Sequence, residues 1–354
     1  MSEVLVRIEG SAGRLTLDRP AALNALTLGM VRKIDAALTA WEADEAVALV
    51  VVDATPGPAF CAGGDIRALY DAARARDWAS CETFFREEYR LDARIARYPK
   101  PIVTVMDGTT MGGGVGIGCH ASHRIVTERS AIAMPEVRIG FCPDVGGTHL
   151  LSAIPDELGT HLALTGQRIG ADDAIACGFV DCRVASDQIL DLGHRLVECR
   201  SRACVDDVLA SFAMPVGEGH LLASRSWIAR CYAGSDVEVI VAALQAAPES
   251  EAHQAAKAIA RGAPASLKLA LASLRRARSL ASLEACLDQE FRVTLSRIRD
   301  PDFVEGIRAT VVDKDNAPRW IPGRLEDVAQ ADVERHFAGL GDRELGLDST
   351  ERRQ

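Results

Sequence analysis

The chain lacks several things, and each lack narrows what it can be. It has no apolar run of about 18 residues, so no stretch reads as a membrane-spanning helix. Its N-terminus, MSEVLVRIEGS, has no apolar signal core. It has no surplus of basic charge: 40 Lys and Arg against 50 Asp and Glu leave a formal net charge of −10. That balance argues against nucleic acid as a partner, while leaving room for a local basic pocket for an anionic ligand. Ten cysteines are present, but there is no C-x-x-C pair and no His/Cys cluster at zinc spacing. No metal site is therefore expected, and reduced thiols in a cytoplasmic compartment are the simple reading. No repeat of fixed period and no low-complexity linker is present.

What is present is enough for a sizeable core. At 354 residues, 48% hydrophobic and 25% charged, the chain reads as two to three globular domains, or one large domain with an appendage. Val4–Ile8 and Arg14–Leu17 alternate as two short strands around Gly10–Gly13, a hairpin signal. Thr27 caps a helix through Trp41, with Met30, Ile34, Leu38 and Trp41 near helical spacing. Ala48–Val52 is a continuous apolar run and reads as a buried strand. A turn follows, then Asp65 at a helix start, where a carboxylate suits the dipole. Helices over roughly 66–75 and 80–96 and a strand over Lys100–Met106 complete an alternating α/β pattern that runs to about residue 185. Beyond about 187 almost everything reads as amphipathic helix punctuated by prolines. The division expected is a core over 1–195 and a mostly helical region over 196–354. The polar tail after Leu340 is expected to fray.

Chemistry concentrates between Tyr98 and His149. MGGGVGIG at Met111–Gly118 follows a strand and opens a helix near Gly113. It fits neither the G-x-G-x-x-G register nor a Walker sequence with its lysine. Cys61-Ala62-Gly63-Gly64-Asp65 repeats the same logic of strand, glycine turn and helix start. Helix N-termini carry unpaired N–H groups, and glycines let a ligand approach them closely. Two such turns can supply two converging donors to a developing oxyanion. Cys61 has no base near it in sequence and reads as a small buried residue. Glu136 and Asp144 lie eight residues apart, each after a proline. Taken alone, either could simply satisfy N–H groups at a helix start; together with the glycines they point to acyl chemistry. His120, His123 and His149 lack triad or metal spacing and read as structural. Arg275-Arg276-Ala277-Arg278 reads as a solvated helix end, with contact to phosphates as the alternative.

AFCAGGDI, KPIVTVMDGTTMGGGVG and AMPEVRIGFCPDVGGTHLL resemble the crotonase (enoyl-CoA hydratase/isomerase) superfamily, and more narrowly its 3-hydroxyisobutyryl-CoA hydrolase branch. The likeness includes LDRPAALNAL, FFREEYRLD and DFVEGIRATVVDKDNAPRWIP, and so covers most of the chain. It implies an α/β fold of repeated ββα units wound into a spiral, followed by a helical C-terminal region. It implies an oxyanion hole from the N–H groups of Gly64 and Gly113. It implies substrate contacts at Glu88, Gly113, Glu136 and Asp144, with the Pro20–Leu23 segment, the Ala62 backbone and Arg67 near CoA. Hydratases of this superfamily use two glutamates, and here Gly116 stands where the second would be, so the chain departs from that pattern. The resemblance therefore implies hydrolysis of a short 3-hydroxyacyl-CoA, foremost 3-hydroxyisobutyryl-CoA in valine breakdown, with Glu136 and Asp144 catalytic. The partner implied is the acyl-CoA substrate itself, with no cofactor. A homo-oligomer is allowed but not required. The rivals are an enoyl-CoA hydratase or isomerase, and a silent CoA-binding protein.

Overall fold

The computed structural model describes residues 3–348. β1 (Val4–Glu9) and β2 (Ala12–Leu17) form the antiparallel hairpin, with Val4 opposite Leu17. Thr27 caps α1 (Leu28–Glu42) by accepting the Met30 N–H at 3.2 Å, and Met30, Ile34, Leu38 and Trp41 are all buried. β3 (Leu49–Ala54) is buried along nearly its whole length, as a strand covered on both faces should be. There follow β4 (Ala59–Cys61), α2 (Ile66–Arg74), α3 (Trp78–Arg97), β5 (Ile102–Met106), β6 (Thr109–Met111), α4 (Gly113–Cys119), β7 (His123–Val126), β8 (Ala131–Ala133), α5 (Gly147–Ala153) and β9 (Cys182–Arg183).

Strand order reveals the winding. One sheet runs β1-β2-β3-β5-β7-β9 and a second runs β4-β6-β8. Each successive turn of chain thus lays one strand in the first sheet and the next strand in the second. After the opening hairpin, the pairs β2–β3, β3–β5, β5–β7 and β7–β9 are all parallel, because the chain returns to the same edge after each turn. This is the spiral of ββα units, and the chain beyond β9 is helical, as expected.

The chain forms two compact units. The first comprises 1–64, 90–132 and 169–220; the second comprises 65–89, 133–168 and 221–354. In the first, Leu49, Val51, Val103, Val105 and Ile125 from the large sheet pack with Leu192, Leu196, Val205 and Val208 from the helices that follow. In the second, Cys142, Leu269, Val293, Val328 and Val333 form a buried cluster. Among the described residues, no helix is long and apolar enough to cross a membrane.

Two expectations need correction. The tail after Leu340 does not fray as far as Asp348. The Asp288 carboxylate accepts the Leu347 and Asp348 N–H groups, both at 2.9 Å, Arg292 pairs with Glu344 at 3.0 Å, and Leu345 is buried. A tail this polar is held by charge-assisted bonds together with the burial of Leu345. The arginine run is not simply a solvated helix end either. Arg275 and Arg278 both grip Glu157, at 2.7 and 2.8 Å, and Arg276 pairs with Glu334. Glu157 is held down to a pKa of about 2 by these guanidiniums, with the Thr160 hydroxyl assisting, against the opposing effect of its burial.

Candidate active site

In the first unit the two glycine turns lie side by side. Leu26 donates its N–H to Gly63 at 2.8 Å and is bridged to Gly64, and Ala62 donates its own N–H to Leu23 at 3.0 Å. The Pro20–Leu23 segment is thereby tied to the Ala62–Gly64 turn. A Cβ on Gly63 would lie 3.5 Å from the Met111 carbonyl oxygen and 3.9 Å from the Gly113 nitrogen. Each candidate donor follows a glycine in left-handed space: Gly63 has φ +111° and Gly112 has φ +46°. Side-chain-bearing residues rarely adopt such φ values, so the backbone path that leads into the Gly64 and Gly113 N–H groups depends on glycine. Gly113 is the first residue of α4, so its N–H has no acceptor inside the helix. Cys61 is fully buried and its thiol lies against the Gly63 carbonyl at 3.6 Å, consistent with a packing role.

Gly116 has a neighbour the sequence did not reveal. A Cβ there would lie 2.7 Å from Oδ1 of Asp92 and 2.9 Å from its Oδ2. The space beside position 116 is taken by a fully buried carboxylate from α3.

The second unit holds the other chemistry. Glu136 opens a 3-10 turn, Glu136–Ile139, whose end is locked by Arg297 donating to the Gly140 carbonyl at 2.8 Å. Arg297 is itself buried and paired with Asp302 at 3.1 Å. The helix Pro301–Ile307 presses on the same turn, since a Cβ on Gly306 would meet the Ile139 carbonyl carbon at 2.3 Å. The DFVEGIR segment thus seats Glu136. Asp144 precedes a turn that enters α5, and its Oδ2 accepts the Tyr89 hydroxyl at 2.7 Å. Glu88, the neighbour of Tyr89 on α3, is 2% exposed rather than on a solvated face. Glu136 Oε2 and Glu88 Oε1 are buried and find no hydrogen-bond partner among the described residues. Orphaned buried carboxylate oxygens are uncommon and mark where a ligand's polar group would be welcome.

The carboxylates feel one another. Burial pushes Glu136 and Glu88 well above the usual carboxylate range, and the charge of Asp144 adds to both. Burial raises Asp144 to about 7 despite the Tyr89 hydroxyl and its own backbone N–H, which oppose the shift. A fourth member, Glu290, was missed in the sequence; burial lifts it to about 8. Burial and the neighbouring charge of Asp144 both act against full ionisation of Glu88 and Glu136. The signal for Glu290 was available. Leu283, Leu287 and Phe291 mark the inner face of the helix Leu283–Arg297, and Glu290 lies on that face. Arg67 is elsewhere: exposed near the start of α2 and paired with Asp71 at 3.4 Å. His123 bonds Asp206 at 3.0 Å and Ser122 at 2.9 Å, with Ser122 itself bonded to both polar groups of the Ile102 backbone, a structural use.

The winding of the strand pairs and the buried acidic cluster define a crotonase-type architecture. The chain belongs to the enoyl-CoA hydratase/isomerase family, whose model matches residues 12–337. It is 40% identical over 98% of its length, and 91% of the relative's, to the mitochondrial 3-hydroxyisobutyryl-CoA hydrolase of Xenopus tropicalis. It is 37% identical over 97% of its length, and 90% of the relative's, to the enzyme of that name from Homo sapiens. Among solved structures, it resembles a carnitinyl-CoA dehydratase from Mycobacterium thermoresistibile, with 46% identity, 98% of this chain and 99% of that chain covered, and a TM-score of 0.93. An enoyl-CoA hydratase from Rhodobacter sphaeroides gives 47% identity, 97% and 99% coverage, and a TM-score of 0.91. These names correct the cytoplasmic expectation. The hydrolases are mitochondrial, a compartment where thiols also stay reduced, so cysteine usage could not separate the two.

Proposed function

We propose that this chain hydrolyses a short 3-hydroxyacyl-CoA thioester, with 3-hydroxyisobutyryl-CoA as its substrate, releasing 3-hydroxyisobutyrate and CoA within valine breakdown. The observation that carries the reading is near-full-length similarity to hydrolases of that name in a chain whose Glu136 and Asp144 are both buried and electrostatically linked. The thioester oxygen is assigned to the Gly64 and Gly113 N–H groups, which stabilise charge as it develops on that oxygen. Glu136 either attacks the carbonyl carbon or takes a proton from the water that does; in both routes the C–S bond breaks and the thiolate leaves as CoA. In the first route the resulting anhydride is then opened by water. Asp144 orients that water or supplies the proton that the thiolate takes up. Glu88 takes the substrate hydroxyl, and the Ala62 backbone and Arg67 lie along CoA. No metal or redox cofactor is required; CoA is part of the substrate.

Hydration of an enoyl-CoA is the second reading, favoured by the names of the two similar structures. Against it stands position 116, a glycine backed by Asp92 rather than a glutamate. Incubation with 3-hydroxyisobutyryl-CoA and, separately, crotonyl-CoA decides between them. Thiol release from the first is expected. Faster loss of enoyl absorbance from the second would overturn the hydrolase reading.

A further inference from the structure

Asp144 leads into an unusual stretch of backbone. Val145 has φ +54° and Gly146 has φ +77°, so the chain makes two left-handed residues before α5 begins at Gly147. A β-branched residue in that region is strained and persists only where its surroundings hold it. Two side chains of the same unit reach this segment, one to its backbone and one to Asp144. Glu290 reaches the turn from the helix Leu283–Arg297: its Oε2 accepts the Gly146 N–H at 2.7 Å, and its Oε1 accepts the Thr148 N–H at 2.9 Å and the Thr148 hydroxyl at 2.6 Å. Tyr89 reaches the carboxylate itself. Its hydroxyl donates to Asp144 Oδ2 at 2.7 Å and lies 2.7 Å from Thr294 Oγ1. Because the single phenolic proton goes to Asp144, Thr294 is the donor to the Tyr89 oxygen. The Tyr89 ring is wedged edge-on against Phe85 and Phe291, which fixes the hydroxyl in turn.

We propose that Tyr89 and Glu290 are positioning residues for Asp144: Glu290 fixes the turn that carries it, and Tyr89, backed by Thr294, fixes its carboxylate. What Asp144 then does rests on the hydrolase reading; where it is held does not. One oxygen of Asp144, Oδ2, is committed to Tyr89. The groups around Asp144 are Glu88 and Tyr89 from α3, Glu136 from its 3-10 turn, Cys142 on its own segment and Glu290 from the opposite helix. Arg297, whose charge acts on Cys142, is occupied by Asp300 and Asp302. The Tyr89 hydroxyl, together with the Asp144 backbone N–H, favours the ionised form of Asp144.

The test is Tyr89→Phe, which removes one oxygen and keeps the ring. Turnover should fall about 10- to 100-fold, the range of one charge-assisted hydrogen bond, with KM within about twofold. Thr294→Val should act in the same direction and more weakly. Glu290→Gln turns an amide N–H toward the Gly146 N–H and should also lower turnover. In an Asp144→Asn background all three losses should vanish, because the residue they serve is gone. Losses that multiply independently of Asp144→Asn would overturn the proposal. A readout without substrate separates it from the hydrolase reading: the 13C-carboxyl titration of Asp144 in folded protein should move to higher pH in Tyr89→Phe. An unchanged titration overturns the positioning role. Absence of thiol release by the parent overturns the hydrolase reading while this titration still decides where Asp144 is held.

Discussion

The two units bring different kinds of chemistry, fixed by different physics. In the first, the candidate donors are backbone N–H groups, and each follows a glycine whose φ side-chain-bearing residues rarely adopt. They carry no ionisable proton and do not respond to pH. In the second, the candidate groups are side chains whose position and charge depend on partners up to about 200 residues away in sequence, as Thr294 is from Tyr89. The candidate donors depend on local backbone; the candidate carboxylates depend on distant partners.

The largest expected effect is in the second unit. Glu136→Gln keeps volume but can neither attack nor accept a proton, so turnover should fall at least about 1000-fold. Binding of acyl-CoA, measured by calorimetry, should persist because most of the contact surface is untouched. Near-parental thiol release would remove Glu136 from the mechanism.

Gly63→Ala tests the first unit without touching either donor residue. A Cβ there has ordinary van der Waals room, but φ +111° is strained for alanine, and the strain turns the Gly64 N–H away. Loss of one oxyanion donor costs roughly 100- to 1000-fold in turnover. The pH profile then separates the units. The proposed chemistry needs Glu136 ionised, and burial raises it well above the usual carboxylate range, so the parent's kcat/KM should climb with pH through an acid limb. Gly63→Ala should lower the whole profile without moving that limb. A displaced limb would mean that the two halves are not independent.

The same contrast governs how much could be read in advance. Strands, the Thr27 cap and both glycine turns announced themselves because each is decided by neighbours in sequence. Glu136 and Asp144 were found through resemblance; their bare local pattern also fits an ordinary helix start. Glu290 shows in the sequence only as an acid on a buried helix face, and its role, like that of Tyr89, is defined by hydrogen bonds across the second unit. Asp92 escaped for the corresponding reason in the first. Sequence shows only a glycine at 116 where a glutamate would stand; in the structure even a methyl group there meets the Asp92 carboxylate. Gly116→Glu is therefore expected to disturb folding before it could alter the reaction.

Asp144→Asn measures what the acidic cluster costs the fold. A carboxyl whose folded pKa is raised binds more protons in the native state than in the unfolded chain. Its stabilising contribution is fully present below the unfolded value, 3.8, and is lost as pH rises toward the folded value of about 7. Between about pH 5 and pH 8 that loss is on the order of 3 kcal/mol, at about 1.4 kcal/mol per pH unit. Asparagine does not titrate, so the variant should gain that amount relative to the parent over the same interval, read from urea unfolding at the two pH values. A pH-independent difference would show that Asp144 is not buried against its neighbours as described.

The smallest effect belongs to Arg67, which shares neither the torsional control of the glycine turns nor the burial of the acids. Its side chain and that of Asp71 are both more than half exposed, at 55% and 62%, so the pair adds little to stability. Arg67→Ala should leave the melting temperature within about 1 °C, as surface substitutions commonly do. If the guanidinium meets a CoA phosphate, it does so in water, where such a contact contributes less than about 1 kcal/mol. KM should then rise about two- to fivefold with turnover unchanged, and the difference should shrink as salt is raised toward about 1 M, where the Debye length falls to about 3 Å. A rise in KM that survives high salt would point to loss of packing along the arginine stem instead of loss of charge. No rise at any salt concentration would take Arg67 out of the CoA contacts and leave it as one half of a helix-surface ion pair.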